Sequence, residues 1–208
     1  MKNFFSETTF LKGVIKYNSL PHDEGYEFLL AGRSNAGKSS ALNSLTSNSK
    51  LARTSKMPGR TQEINLFQVN EEIKLLDLPG YGFSKSGKQK QKDWNKFLQE
   101  YFECRRSLCA VIIFMDIRHP LKTLDMQLID LCECYQIPFI VVLTKIDKLT
   151  KHKQKQALDF VEMAVNDCLI VTISSTKNLG FEKLREIILK YSNAVSYTHL
   201  TLPTICSV

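Results

Sequence analysis

An apolar run, Tyr26 to Ala31, leads without a break into Gly32-Arg33-Ser34-Asn35-Ala36-Gly37-Lys38-Ser39, and a helix-forming stretch, Lys38 to Thr46, follows. Strand, glycine-bounded loop and helix in that order restrict the fold more than any other feature of the 208-residue chain. The loop fits the pattern G-x-x-x-x-G-K-[ST]. Its glycines let backbone N–H groups turn inward around phosphate oxygens, while the helix presents the positive end of its dipole to the same anion. In that reading Lys38 holds the β and γ phosphates of a nucleoside triphosphate, and Ser39 offers its hydroxyl to Mg²⁺.

The rest of the chain continues the alternation. Strands are predicted over Glu63 to Val69, Ile73 to Asp77, Ala110 to Met115, Phe139 to Leu143 and Leu169 to Ile173. Helices are predicted over Lys88 to Arg106, Leu121 to Tyr135, Lys153 to Asp167 and Phe181 to Tyr191. Several strands are nearly continuous apolar runs, which implies burial on both faces. The expected fold class is therefore α/β, a mainly parallel central sheet with helices on both faces. Ser47 to Thr61 and Gly80 to Gly87 read as loops. The length suits one domain, assigned to residues 23–193 after an N-terminal extension, 1–22. Residues 194–208 are uncharged, Thr-rich and strand-prone after a helix that already completes the fold; they read as non-native read-through sequence.

Composition excludes several classes. Hydrophobic residues make up 43% and charged ones 24%, which argues against wholesale disorder. No uncharged apolar run is long enough to span a bilayer, and the N-terminus meets Glu7 early, unlike a secretory signal; no membrane insertion and a cytoplasmic location are expected. Lysine and arginine number 28 against 21 acids, a net +7 that suits a polyanionic partner. The six cysteines lack C-x-x-C spacing and read as reduced packing residues, and the four histidines are too scattered for a metal cluster.

Three more segments follow predicted strands. Asp77-Leu78-Pro79-Gly80 places an acid where it can reach Mg²⁺ through water, and Gly80 lets a backbone N–H approach the γ-phosphate. In Thr144-Lys145-Ile146-Asp147, the carboxylate can accept the N1–H and exocyclic amine of guanine, while the Lys145 stem lies along the base. Taken alone, the segment could instead be a helix N-terminus with Asp147 as its cap. Ile173-Ser174-Ser175 could contact guanine O6. All lie in order at strand ends, where ligands bind open α/β sheets.

GRSNAGKS, DLPG, TKID and ISS resemble the signature segments of a translation-factor-type GTPase. With Leu51 to Gln62, Asp77 to Gly82 and Asp116 to Leu121, residues 6–191 resemble the bacterial EngB family (also called YihA or YsxC), within the TrmE-Era-EngA-EngB-septin-like P-loop GTPases. That resemblance implies hydrolysis of GTP to GDP and phosphate. It also implies a switch role in assembly of the large (50S) ribosomal subunit, with its precursor and rRNA as partners, and a requirement in cell division and septation. Carried onto this chain, Thr61 becomes the switch threonine binding Mg²⁺ with Ser39, and Gly59, Arg60, Gln62 and Glu63 line the nucleotide. Lys38, Thr61 and Gly80 form the catalytic set. Asn35 stands where related GTPases carry a K⁺-binding asparagine, which extends the cofactor expectation to K⁺.

Tyr81 follows Gly80, where many GTPases carry a water-orienting Gln, so slow intrinsic turnover is expected. Lys85, Lys88, Lys90, Lys92, Lys148, Lys151, Lys153 and Lys155 either face RNA or form solvated helix faces. Trp94, Phe97, Leu98 and Tyr101 fit a helix stripe. No coiled-coil segment is evident, and a monomer is expected. Two rival readings remain: an ATP-dependent enzyme, against which Asp147 argues, and a non-catalytic GTP-dependent recruitment switch, which Tyr81 keeps open.

Overall fold

The computed structural model describes residues 4–52, 63–81, 88–165 and 168–199, the side chains of 88–94 and 194–199 excepted. Strands β1 (Thr9–Val14), β2 (Tyr26–Gly32), β3 (Ile64–Gln68), β4 (Ile73–Asp77), β5 (Leu108–Asp116), β6 (Phe139–Thr144) and β7 (Leu169–Thr172) form one sheet in the order β1-β3-β4-β2-β5-β6-β7. Pairings from β4 through β2, β5 and β6 to β7 are parallel. β3 runs antiparallel to both β4 and β1. Among the described residues five α-helices accompany the sheet: α1 (Lys38–Leu45), α2 (Lys88–Cys104), α3 (Thr123–Cys134), α4 (Lys151–Ala164) and α5 (Phe181–His199).

The central strands are legible because they are buried on both faces. In β5, Ala110, Ile112 and Phe114 pack with Leu42 and Leu45 of α1 and Leu184 and Ile188 of α5. The alternate residues Val111, Ile113 and Met115 pack with Leu98 and Tyr101 of α2, Leu128 and Ile129 of α3 and Val161 of α4. The strand's period of two thus divides the apolar side chains between two cores, and each fully buried Leu, Ile or Phe stabilises by about 1.5–3 kcal/mol. Phe97, Leu98 and Tyr101 form the buried stripe expected of α2, while the Trp94 side chain lies outside the described residues.

Several boundaries differ from the sequence pattern. β1 is an unpredicted strand at the sheet edge: five of its six residues are exposed, and the register shifts between Phe10 and Lys12, so no apolar run marks it. α3 starts at Thr123 rather than Leu121, because Leu121 takes a left-handed conformation, φ 52°, after Pro120. α4 starts at Lys151 rather than Lys153; Thr150 is its N-cap and accepts from the Lys153 N–H at 3.5 Å. α5 continues past Tyr191 to His199, since neither proline nor glycine interrupts that stretch; the strand-prone reading of 194–199 gives way to helix, and 200–208 lie outside the described residues.

The described cysteines are not all packing residues, and Cys168 is half-buried. Cys109 and Cys132 are buried, and burial pushes each thiol up to about 12. Cys104 and Cys134 are exposed instead, and Cys206 lies outside the described residues. Because the thiolate is the nucleophile, brief iodoacetamide treatment of the native protein should alkylate Cys104 and Cys134 and spare Cys109 and Cys132. Peptide mapping by mass spectrometry reads the difference, and equal labelling of all four would contradict the packing.

Candidate nucleotide site

The C-terminal ends of β2, β4, β5 and β6 bring the expected segments together. Gly32 ends β2, and Arg33 to Gly37 curve back to Lys38, the first residue of α1. The curve needs two left-handed residues, Asn35 at φ 63° and Gly37 at φ 92°. A side chain at Gly37 would be strained by that φ and would place its Cβ 3.3 Å from Thr144 Oγ1. Ala36 donates its N–H to Arg33 O at 3.0 Å, which tightens the turn. Ser39 is half-buried in the first helical turn.

Lys38 is 8% exposed and forms an ion pair with Asp77 at the end of β4. A triphosphate can take over the lysine and a divalent cation the carboxylate. Leu78 follows, donating its N–H to Leu30 O at 3.0 Å, and then Pro79 and Gly80. A Cβ on Gly80 would stand 3.1 Å from Ser34 Cα, so only glycine passes this close to the phosphate loop without displacing it. Two backbone bonds span the contact, Ser34 N–H to Tyr81 O at 3.0 Å and Tyr81 N–H to Gly32 O at 3.3 Å.

Thr144 and Lys145 fasten the second half of the site to the first. The Thr144 hydroxyl donates to Ala36 O at 2.5 Å, and Lys145 Nζ donates to Asn35 O at 2.6 Å. Lys145 itself is left-handed, φ 61°, which turns the chain into Ile146 and Asp147. Ile146 donates its N–H to Ile173 O at 3.3 Å, so the segments that follow β6 and β7 are stitched through their backbones. The buried Ser174 hydroxyl donates to Asp147 Oδ1 at 2.6 Å and holds that carboxyl below its ordinary range. Ser174 Oγ also accepts from the Lys177 N–H at 3.2 Å, and Ser175 beside it is half-buried. Asp147 does not cap α4, whose N-cap is Thr150.

Glu63 is exposed just before β3 and is not brought to this cluster by any described contact; Gly59, Arg60, Thr61 and Gln62 lie outside the described residues, as does Lys85. Sequence reasoning assigned no role to Asp116, at the end of β5. Its carboxylate accepts from Arg118 Nε at 2.9 Å and Nη2 at 2.7 Å, and it pairs with Lys145 Nζ at 2.9 Å. Burial works to raise this carboxyl, but the Arg118 and Lys145 hydrogen bonds outweigh it and hold the group well below the usual range. An acid ending a buried apolar strand, as Asp77 does, was the available signal.

The residues present suit Mg²⁺. Ser39 and Asp77 offer a hydroxyl and a carboxylate, hard oxygen donors, and among the described residues no group of three His, Cys, Asp or Glu forms a protein cage. Such a site suits an ion whose remaining ligands are phosphate oxygens and water. For K⁺, the side chain of Asn35 is exposed at the loop.

A phosphate loop, an acid at the end of β4 and a carboxylate oriented by Ser174 define the nucleotide cleft of a P-loop GTPase. Residues 27–145 match the family model described as 50S ribosome-binding GTPase. The chain is 47% identical over 186 residues, 88% of its own length and 89% of the relative's, to the probable GTP-binding protein EngB of Escherichia coli strain K12. It therefore belongs to the EngB family of P-loop GTPases. In fold it is similar to the crystal structure of a probable GTP-binding protein EngB, with TM-score 0.67 at 22% identity, covering 81% of this chain and 99% of that one. It is also similar to Era in complex with MgGDPNP and nucleotides 1506–1542 of 16S ribosomal RNA, with TM-score 0.59 at 21% identity, covering 90% and 60%. Among the described residues no helix is long and apolar enough to cross a membrane.

Proposed function

We propose that this GTPase acts as a switch in assembly of the 50S ribosomal subunit, with the subunit precursor and its rRNA as partners, and that normal cell division and septation depend on it. The observation that carries the guanine-nucleotide reading is the double tie of Thr144 and Lys145 to the backbone of Ala36 and Asn35, which sets the base-reading carboxylate at a fixed distance from the phosphate loop. Gly32 to Ser39 cradle the phosphates, Asp147 reads guanine, Ser174 orients it, and Ile173 and Ser175 flank the base.

Water attacks the γ-phosphate in line, and Lys38 with the backbone N–H of Gly80 neutralises the developing charge. Mg²⁺, held by Ser39 and Thr61, supplies further charge neutralisation when bound. No side chain in the cleft serves as an evident general base, and turnover is slow without a partner. The family description supports the ribosomal part of this reading. So do the exposed Lys148, Lys151, Lys153 and Lys155 at the start of α4, a basic face that suits rRNA phosphates.

The test is hydrolysis of GTP and of ATP by the full chain, with and without 50S precursor particles, in KCl and in NaCl. The expected result is slow GTP turnover with none of ATP, stimulation by the particles, and a faster rate in KCl. Equal use of ATP would overturn the guanine reading, absence of stimulation the ribosomal one, and equal rates in the two salts the K⁺ assignment to Asn35.

A further inference from the structure

Asp125, in the first turn of α3, is a fully buried carboxylate to which three segments donate. Arg33 of the phosphate loop donates through Nε to Oδ2 at 3.1 Å. Tyr81, directly after Gly80, donates its hydroxyl to Oδ1 at 3.0 Å. The Lys122 backbone N–H, at the helix's own start, donates to Oδ2 at 3.1 Å. Arg33 also reaches His119 O through Nη2 at 3.0 Å, which fixes the connection between β5 and α3 to the same loop. A charge buried this completely is tolerated only because both oxygens have donors, so the cluster has one low-energy arrangement rather than many.

The phenol is committed to this arrangement. Tyr81 is 6% exposed, and burial together with the Asp125 charge keeps its hydroxyl neutral and donating. The ring walls a cleft of about 290 Å³ between α2 and α3, lined also by Leu98, Gln99, Leu124, Leu128 and Leu131. The residue that stands where many GTPases carry a water-orienting Gln therefore has its side chain buried and bonded to α3. Its backbone remains at the site, bonded to Ser34 and Gly32, and Gly80 lies immediately before it.

We propose that Asp125 is a positioning residue for GTP hydrolysis: by gripping Tyr81 and Arg33 together it sets the stand-off between the Gly80 backbone N–H and the phosphate loop. This rests on the GTPase reading of the Gly80 N–H. Asp125 touches no substrate and acts through Tyr81.

The experiment compares the full-length wild type with Tyr81→Phe, Asp125→Asn and the double variant. It measures steady-state GTP hydrolysis, GDP affinity and thermal melting. Tyr81→Phe keeps the ring that walls the cleft and leaves Asp125 with two donors, so it folds even where Asp125→Asn does not. A 1 Å drift of the Gly80 N–H should lower kcat by about tenfold or more, with KM and GDP affinity within about twofold of wild type. The double variant should be no slower than the slower single one, because both remove the same link. A Tyr81→Phe kcat within about twofold of wild type overturns the proposal. So does a loss that appears equally in KM and GDP affinity and tracks the melting temperature, since that is what a merely structural role produces. A wild type that hydrolyses no GTP overturns the underlying reading instead, and the proposal with it.

Discussion

Replacing Asp147 with asparagine is expected to lower affinity for GTP by about 10⁴-fold, because a site built on buried hydrogen bonds rejects a partner that leaves its polar groups unpaired. A carboxylate has about four acceptor sites, so Asp147 can take further donors beside Ser174 and Lys148, and guanine presents two donors on one edge, N1–H and the exocyclic amine. An amide at 147 puts a donor against one of those donors. Xanthine carries a carbonyl where guanine carries the amine, so the same substitution should raise affinity for xanthosine triphosphate. The Ser174 hydroxyl can still donate to the amide oxygen, which keeps residue 147 oriented and makes exchange of specificity, rather than collapse of the site, the expected outcome. Competition between the two nucleotides for wild type and variant reads this directly; unchanged preference for GTP would mean that Asp147 does not face the base.

How much of this was readable beforehand depended on the range of the interaction. The Gly37 turn, the Lys38 start of α1 and the Thr144–Asp147 segment are local: backbone conformation and strand–loop–helix order demand particular residues at particular spacings, and the sequence carries them openly. The central strands were equally open, since burial on both faces leaves continuous apolar runs such as Leu108–Asp116. β1 was hidden because an edge strand exposed on nearly every residue needs no such run. Asp125 was hidden for another reason. Its partners Arg33 and Tyr81 lie 92 and 44 residues away, and nothing in a helix-starting acid distinguishes one that caps its own turn from one that also grips two distant loops. The pairing of Asp116 with Lys145 poses the same problem, since it forms only once the fold brings β5 beside β6.

A second buried charge cluster lies at the opposite end of β2, and its loss should cost more stability than any other single side-chain truncation considered. Glu27 is fully buried on β2. Arg105, just beyond α2, donates to it twice, Nη2 to Oε1 at 2.6 Å and Nε to Oε2 at 2.9 Å, while the Tyr101 hydroxyl donates to Oε2 at 2.6 Å. The same guanidinium holds Pro21 O at 3.0 Å and His22 O at 3.2 Å, so it ties the segment before β2 to the end of α2. Asp23 completes the tie by accepting the Arg106 and Ser107 N–H groups, each at 2.9 Å. Burial works to raise the Asp23 carboxyl, but these bonds outweigh it and lower the group. Its contribution is therefore present above the ordinary carboxylate range and lost as pH falls through the lower folded value. Truncating Arg105 to alanine leaves Glu27 buried with one donor, and breaking a buried pair in this way costs about 3–5 kcal/mol, or about 10 °C in melting temperature for a chain of this size. Removing both charges with Glu27→Leu and Arg105→Met should cost less than Arg105→Ala alone, because no uncompensated carboxylate remains. Thermal melts of the two variants against wild type decide it: an Arg105→Ala protein melting within about 2 °C of wild type would mean that water reaches Glu27 and the cluster is not the closed one described.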